Sequence, residues 1–189
     1  MITEKLYDTD SHLSEFNATV LSSEEVNGEY LITLDRTVFF PEAGGQPSDK
    51  GSINGIAVHY VSISDGKIFH HTNAPIAVGT AVKGEIDFAR RHRFMQNHTG
   101  EHIVSGILHK LYGFSNVGFH LGEEFATLDF DGELTREQLD EVEQLANQKI
   151  WQNLPVTCYY PDCDELKALD YRSKKELQGD IRIVEIKDT

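Results

Sequence analysis

Cysteine is nearly absent from this 189-residue chain, which carries only Cys158 and Cys163. Two thiols cannot build a disulfide scaffold, and a five-residue separation with no matching second pair is not a zinc-ribbon pattern. They read as ordinary thiols, and a reducing cytoplasm is the expected compartment. No run of about 18 apolar residues occurs, and the N-terminus is charged and polar without a signal-peptide core, so no membrane partner is expected. Proline is sparse at 5 residues, and neither a low-complexity tract nor an internal repeat is present, which excludes collagen-like, disordered and solenoid architectures. Positive charge is scarce as well. Seventeen Lys and Arg against 31 Asp and Glu leave a net charge of −14, which argues against a phosphate-rich partner, because binding nucleic acid draws on cationic side chains. The deficit is uneven: nine acids face the single base Arg136 between Glu123 and Glu143, whereas Arg90, Arg91 and Arg93 cluster.

What is present is the composition of an ordinary globular protein, 39% hydrophobic and 25% charged, long enough for one domain or two small ones. The first half is dense in hairpin signals. Asn27-Gly28, Asn54-Gly55 and Asp65-Gly66 supply the positive-φ residues of tight turns between β-branched and aromatic segments. Strands are expected at Phe16 to Val26, Glu29 to Asp35, Gly55 to Ser62, Lys67 to Thr72 and Thr80 to Phe88. Together they suggest a small antiparallel β-barrel-like domain over residues 1–88. From Asn97 to Tyr112 the period becomes helical, through Ile103, Ile107 and Leu111, with Gly113 as terminator. Thr135 and Gln138 form a capping-box pattern ahead of the stripe Leu139, Val142, Ala146 and Ile150. Strands at Phe125 to Phe130, Val156 to Tyr160 and Ile181 to Ile186, with a helix from Asp164 to Leu177, complete an α+β domain over residues 89–189.

The sharpest local signal for chemistry is His98-Thr99-Gly100-Glu101-His102. Two histidines four apart on a helix differ by about 40° in azimuth and about 6 Å in rise, so both imidazoles can reach one metal ion. Two partly exposed helix histidines are the alternative. His109 lies about 16 Å along the axis from His98 and cannot share that ion. A zincin protease needs its glutamate directly after the first histidine, where Thr99 stands. Glu101 is either an orienting partner for a ligand histidine or water, or a solvated helix glutamate. The second signal is Thr37 to Gly51, in which Gly44-Gly45 permits a sharp turn and Gln46 offers a donor and acceptors beside it. The alternative is a plain connecting loop. Arg90, Arg91 and Arg93 could reach phosphates or merely neutralise nearby acids.

In this order and at this separation, these segments resemble the editing domain of alanyl-tRNA synthetase and the freestanding alanyl-tRNA editing proteins of the AlaX type. The likeness spans nearly the whole chain. It is carried by LYDTDSHLSEFNATV, LDRTVFFPEAGGQPSDKG, RRHRFMQNHTGEHIVSGIL and ELQGDIRIVEI, the second and third being the specific ones. With Met1 directly ahead of the domain, the freestanding type is the more similar. The resemblance implies a zinc-dependent hydrolase that deacylates mischarged tRNA for alanine at its acceptor end, chiefly the seryl and sometimes the glycyl form. It implies zinc on His98 and His102, and recognition of the aminoacyl group by Thr37, Gly44, Gly45 and Gln46. His120, in a family-like stretch, is a further cleft candidate or a strand-end histidine, and Arg90, Arg91 and Arg93 are candidates for tRNA phosphates. The family's C-x-x-x-H motif, which supplies the remaining zinc ligands, is absent. A chain truncated just before it, with zinc weakly held or missing and activity low, is therefore expected. An acceptor-end binding module without turnover, and a metal-dependent hydrolase of another small ester or amide, are the competing readings. The oligomeric state is not legible.

Overall fold

In a computed structural model, residues 2–169, 171 and 181–187 are described. The chain runs β1 (Glu4–Lys5), a 3-10 turn, β2 (Glu15–Val26), β3 (Glu29–Leu34), β4 (Arg36–Thr37), β5 (Gly51–Ile53), β6 (Ile56–Ser64), β7 (Lys67–Thr72) and β8 (Ala81–Ile86). It continues through α1 (Phe88–Tyr112), β9 (Asn116–Leu121), β10 (Ala126–Phe130), α2 (Arg136–Trp151), β11 (Val156–Tyr159), α3 (Cys163–Ala168) and β12 (Ile183–Ile186). The class is α+β.

The three Asx-Gly pairs form the two-residue turns their chemistry favours. Asn27, Gly28, Asn54, Gly55, Asp65 and Gly66 all have φ between 49° and 86°, which matches the twist of the flanking antiparallel strands. The strands pair in the order β2-β3-β7-β6-β5-β8, and β8 pairs back to β2, closing a barrel. Closure leaves no unpaired edge. Alternation sets the interior: Phe16, Ala18 and Val20 of β2, Ile68 and His70 of β7, and Val82 and Ile86 of β8 point inward with Ile32, Leu34, Val38 and Phe39. Each fully buried large aliphatic or aromatic side chain there contributes about 1.5–3 kcal/mol. Gly84 sits opposite Phe16 in register, and a Cβ at that position would lie 2.2 Å from the phenyl ring.

The helix expected from Asn97 starts nine residues earlier, at Phe88. The Asp87 carboxylate accepts from the Arg90 backbone N–H at 3.0 Å, as an N-cap does. The charged run Ala89-Arg90-Arg91-His92-Arg93 hides the helix because its buried positions are arginines rather than aliphatics. Gly113 ends the helix with φ +71°, its N–H bonded to the carbonyl of His109. The capping box at Thr135 and Gln138 forms, but only Val142 and Ala146 of the α2 stripe are buried, against Ile103, Ile107 and Leu108. Leu139 and Ile150 are about half exposed. The short strands β1, β4 and β5, and also β9, were not expected. The six-residue α3 covers the start of the helix expected from Asp164; the rest of that segment falls largely outside the described residues, as does the first part of the ELQGDIRIVEI stretch, whose second part holds β12.

Two compact units are present, Met1–Asn97 with His120–Ala126, and His98–Phe119 with Thr127–Thr189. The sequence places a boundary at 88/89, where α1 begins; the units part within α1 instead. No helix among the described residues is long and apolar enough to cross a membrane.

Candidate metal centre and glycine-turn pocket

His98, Glu101, His102 and Ser105 fall within about 100° of one another on α1 at 100° per residue, so they share one helix face. One ligand atom each from His98, Glu101 and His102 lies within 4.8 Å of the others, the only such group of three among the described residues. The two imidazoles stack with ring centroids 5.1 Å apart and an 18° interplanar angle, and Phe119 flanks His98 at 5.1 Å. His102 is open to solvent, its side chain 44% exposed, whereas Glu101 is 4% exposed. That burial removes the solvated-glutamate alternative. Glu101 Oε1 accepts from Ser105 Oγ at 2.9 Å and from Asn116 Nδ2 at 2.5 Å, and Oε2 lies 3.2 Å from His102 Nδ1. The donor set, two imidazoles with a carboxylate beside them, suits zinc or a similar borderline cation. His109 stands at the far end of the helix, its Nδ1 3.3 Å from the carbonyl of Phe114.

In the first unit, Gly44 and Gly45 adopt φ of 61° and 83° and turn the chain so that Ala43 and Gln46 exchange both backbone hydrogen bonds, at 3.2 and 3.0 Å. Glycines are needed there because both central residues of such a turn have positive φ. The segment is therefore a tight hairpin turn. Gly45 O accepts from Leu121 N at 3.0 Å, which brings the end of β9 against the turn. Gly44, Gly45, Gln46 and His120 line a cavity of about 230 Å³. A larger cavity of about 410 Å³, lined by Val104, Leu108, Phe130, Leu139 and Val142, has Asp129 as its one carboxylate and no imidazole, so it offers little to catalysis.

Thr37 lies in the barrel interior with no exposed surface. His70 Nδ1 faces the Ile32 carbonyl at 2.9 Å, and a carbonyl only accepts, so that nitrogen carries the proton. Nε2 then accepts from Thr37 Oγ1 at 2.9 Å, and Oγ1 in turn accepts from Phe39 N at 3.1 Å. The hydroxyl expected to face a ligand is thus enclosed, with one lone pair uncommitted. Burial pushes the His70 imidazole down from 6.5 to about 4, opposed by its bond to Ile32. Between those values the unfolded chain binds a proton that the folded chain refuses, so stability present above pH 6.5 is lost as the pH falls. Between neutral pH and about pH 5 the loss from this one group is about 2 kcal/mol. Urea unfolding of His70→Asn at the two pH values should show a slope smaller by that amount; an unchanged slope would contradict a neutral, buried His70.

Of the two readings of the arginine cluster, burial and ion pairing match the neutralising of nearby acids. Arg91 is 2% exposed, and its Nε lies 3.0 and 3.1 Å from the two oxygens of Asp49, itself 1% exposed. Arg91 Nη2 also donates to Asp49 and to Val38 O, and Nη1 donates to Ser11 O. This side chain is spent on tying both ends of the glycine-turn loop to α1 and cannot reach a phosphate. Arg90 is 8% exposed, lies over the Phe94 ring at 4.3 Å and pairs with Glu123 at 3.0 Å. Arg93 alone is half exposed, and it also pairs with Glu123, at 3.1 Å. The sequence reading missed Asp49, Ser105, Asn116 and His70. The i, i+4 spacing of Glu101 and Ser105 was a visible signal for one of them.

No family model matches the chain. It is 36% identical over 203 residues to the alanyl-tRNA editing protein AlaX-M of Methanosarcina barkeri, covering 98% of this chain and 82% of that protein. It is 34% identical over 196 residues to the alanyl-tRNA editing protein AlaX-L of Pyrococcus horikoshii, covering 99% and 48%. The mouse alanyl-tRNA editing protein Aarsd1 is 32% identical over 198 residues, covering 96% and 48%. The chain spans about half the length of the latter two relatives. Identity of this degree, running through nearly all of the chain and four-fifths of the Methanosarcina protein, means that the chain belongs to the AlaX-type alanyl-tRNA editing family.

Proposed function

We propose that this chain hydrolyses the aminoacyl ester of mischarged tRNA for alanine, chiefly the seryl form and also the glycyl form, acting at the acceptor end. The observation that carries the reading is its 36% identity with an alanyl-tRNA editing protein over 98% of the chain. The cluster of His98, Glu101 and His102 supports it. In the reaction, water adds to the ester carbonyl, the bond to the ribose oxygen breaks, and that oxygen leaves as the tRNA hydroxyl. His98 and His102 would hold a zinc ion. Bound there, zinc would supply Lewis-acid polarisation or an acidified water, the chemistry an ester needs at neutral pH.

The other roles belong to the protein's own groups. The turn of Gly44, Gly45 and Gln46, with His120 beside it, offers a small cavity of mixed lining for the aminoacyl group. Thr37 is enclosed and has given its proton to His70 and one lone pair to Phe39 N–H, so it would meet a ligand hydroxyl only where the barrel opens to it, and then only as an acceptor. A serine hydroxyl donates to such an acceptor and alanine has nothing to donate. A site built for that hydroxyl spares the correct ester because its polar groups would otherwise be left unpaired. Arg93, half exposed, would have to leave its pair with Glu123 to meet a phosphate.

The test incubates the zinc-supplemented chain with seryl-, glycyl- and alanyl-tRNA for alanine. Slow release of serine and glycine above the buffer rate is expected, because only two imidazoles hold the zinc, with alanine retained; serine release no faster than in buffer would end the reading. Thr37→Val tests selectivity, at a stability cost of about 1–3 kcal/mol, because it strands His70 Nε2 and the Phe39 N–H. The seryl-to-alanyl rate ratio should fall in Thr37→Val and persist in Thr37→Ser. Equal ratios in the two variants would remove Thr37 from recognition.

A further inference from the structure

We infer that Glu101 is a positioning residue, whose carboxylate holds His102 with its proton on Nδ1 and its lone pair on Nε2, while Ser105 and Asn116 hold the carboxylate. The inference rests on the metal reading above and deepens it. A carboxylate that is 4% exposed, beside an imidazole that is 44% exposed, is costly to bury unless its oxygens are satisfied. Here they are. Oε1 receives Ser105 Oγ–H and Asn116 Nδ2–H, and Asn116 Nδ2 also donates to Ser105 Oγ at 2.9 Å. The serine proton therefore points to Glu101 and its lone pair to Asn116, so no hydroxyl rotor is left free in this triangle.

The amide orientation of Asn116 is fixed by the same two bonds, even though its Oδ1 is buried without a hydrogen-bond partner. Reversing the amide would set Oδ1 against the carboxylate. With Oε1 saturated, Oε2 is left for His102 Nδ1 at 3.2 Å. A carboxylate 3.2 Å from Nδ1 can only accept, so it favours the proton on that nitrogen, and the neutral ring then carries its lone pair at Nε2. An outer carboxylate that fixes the tautomer and raises the basicity of a ligand histidine is the arrangement this geometry matches. Glu101 is better placed for that task than for ligation itself. Moving its carboxylate onto an ion would leave the Ser105 and Asn116 donors unsatisfied inside the protein.

The tautomer is readable without metal. Long-range proton–nitrogen spectra of the ¹⁵N-labelled, metal-free chain, taken about two pH units above the usual imidazole pKa, should show His102 protonated at Nδ1. In Glu101→Gln the amide oxygen keeps the two donors and the amide nitrogen donates to His102, so the imidazole proton should move to Nε2. Affinity for zinc alone, measured by competition with a chromophoric chelator, should fall about 10–100-fold. Wild-type His102 protonated at Nε2 overturns the inference, and so does a Glu101→Gln protein that keeps both the tautomer and the zinc affinity. The wild-type spectrum decides even if Glu101→Gln fails to fold, and Ser105→Ala should then give mixed tautomers. If the wild type shows the expected tautomer but binds no zinc, the role of Glu101 stands and the metal reading fails.

Discussion

Replacing His102 by alanine is expected to cut seryl-ester hydrolysis at least about 100-fold, beyond the usual loss from an outer-shell partner, and to abolish zinc retention. His98→Ala should do the same, because both imidazoles project from one face of α1 and stack 5.1 Å apart. Stability should change little at His102, whose side chain is 44% exposed. Steady-state deacylation, bound-zinc analysis and thermal unfolding on the same preparations separate the outcomes. A variant that is folded, metal-free and fully active would show that the chemistry lies elsewhere. Loss of activity together with loss of folding would mark His102 as structural.

Asp49→Ala carries the largest expected stability effect, about 3–5 kcal/mol, measurable by urea unfolding. The substitution leaves the Arg91 guanidinium buried and uncompensated and also removes the acceptor of Phe40 N–H, at 2.7 Å. Breaking one side of a buried pair costs far more than the pair is worth as a unit, because the remaining charge has lost its hydration and gained nothing. Asp49→Asn keeps an acceptor for Phe40 and part of the Arg91 interaction, so it should lie between. Asp49 and Val38 bracket the glycine turn, and Arg91 binds both, so turnover in Asp49→Asn should drop more than its stability loss alone would explain. If Asp49→Ala costs under about 1 kcal/mol, the buried pair is not what holds this loop.

Hairpins and helices were legible where local chemistry is unambiguous. Asn27-Gly28, Asn54-Gly55 and Asp65-Gly66 announce their turns through residues that tolerate positive φ, and Thr135 with Gln138 announces the start of α2. The first nine residues of α1 were not legible, because the inward position is Arg91, whose partner Asp49 is 42 residues away in sequence. Hydrophobic periodicity cannot see a buried ion pair. The arginines read equally as a phosphate rim or as neutralisers of nearby acids, and their pairs with Asp49 and Glu123 match the second. The spacing of His98 and His102 announced two imidazoles on one helix face, and Glu101 was visible as one of two alternatives. Asn116 was not, because it reaches Glu101 from β9, and a loop-like asparagine carries no periodic signal.

The account stands on whether two imidazoles of α1 bind a common cation. Zinc-edge X-ray absorption of the zinc-loaded chain, compared with His98→Ala and His102→Ala, tests this most directly. One zinc per chain is predicted, with two imidazole nitrogens at about 2.0–2.1 Å in the wild type and one fewer in whatever zinc either variant retains. A zinc shell without imidazole scattering, or one that neither substitution alters, would contradict it.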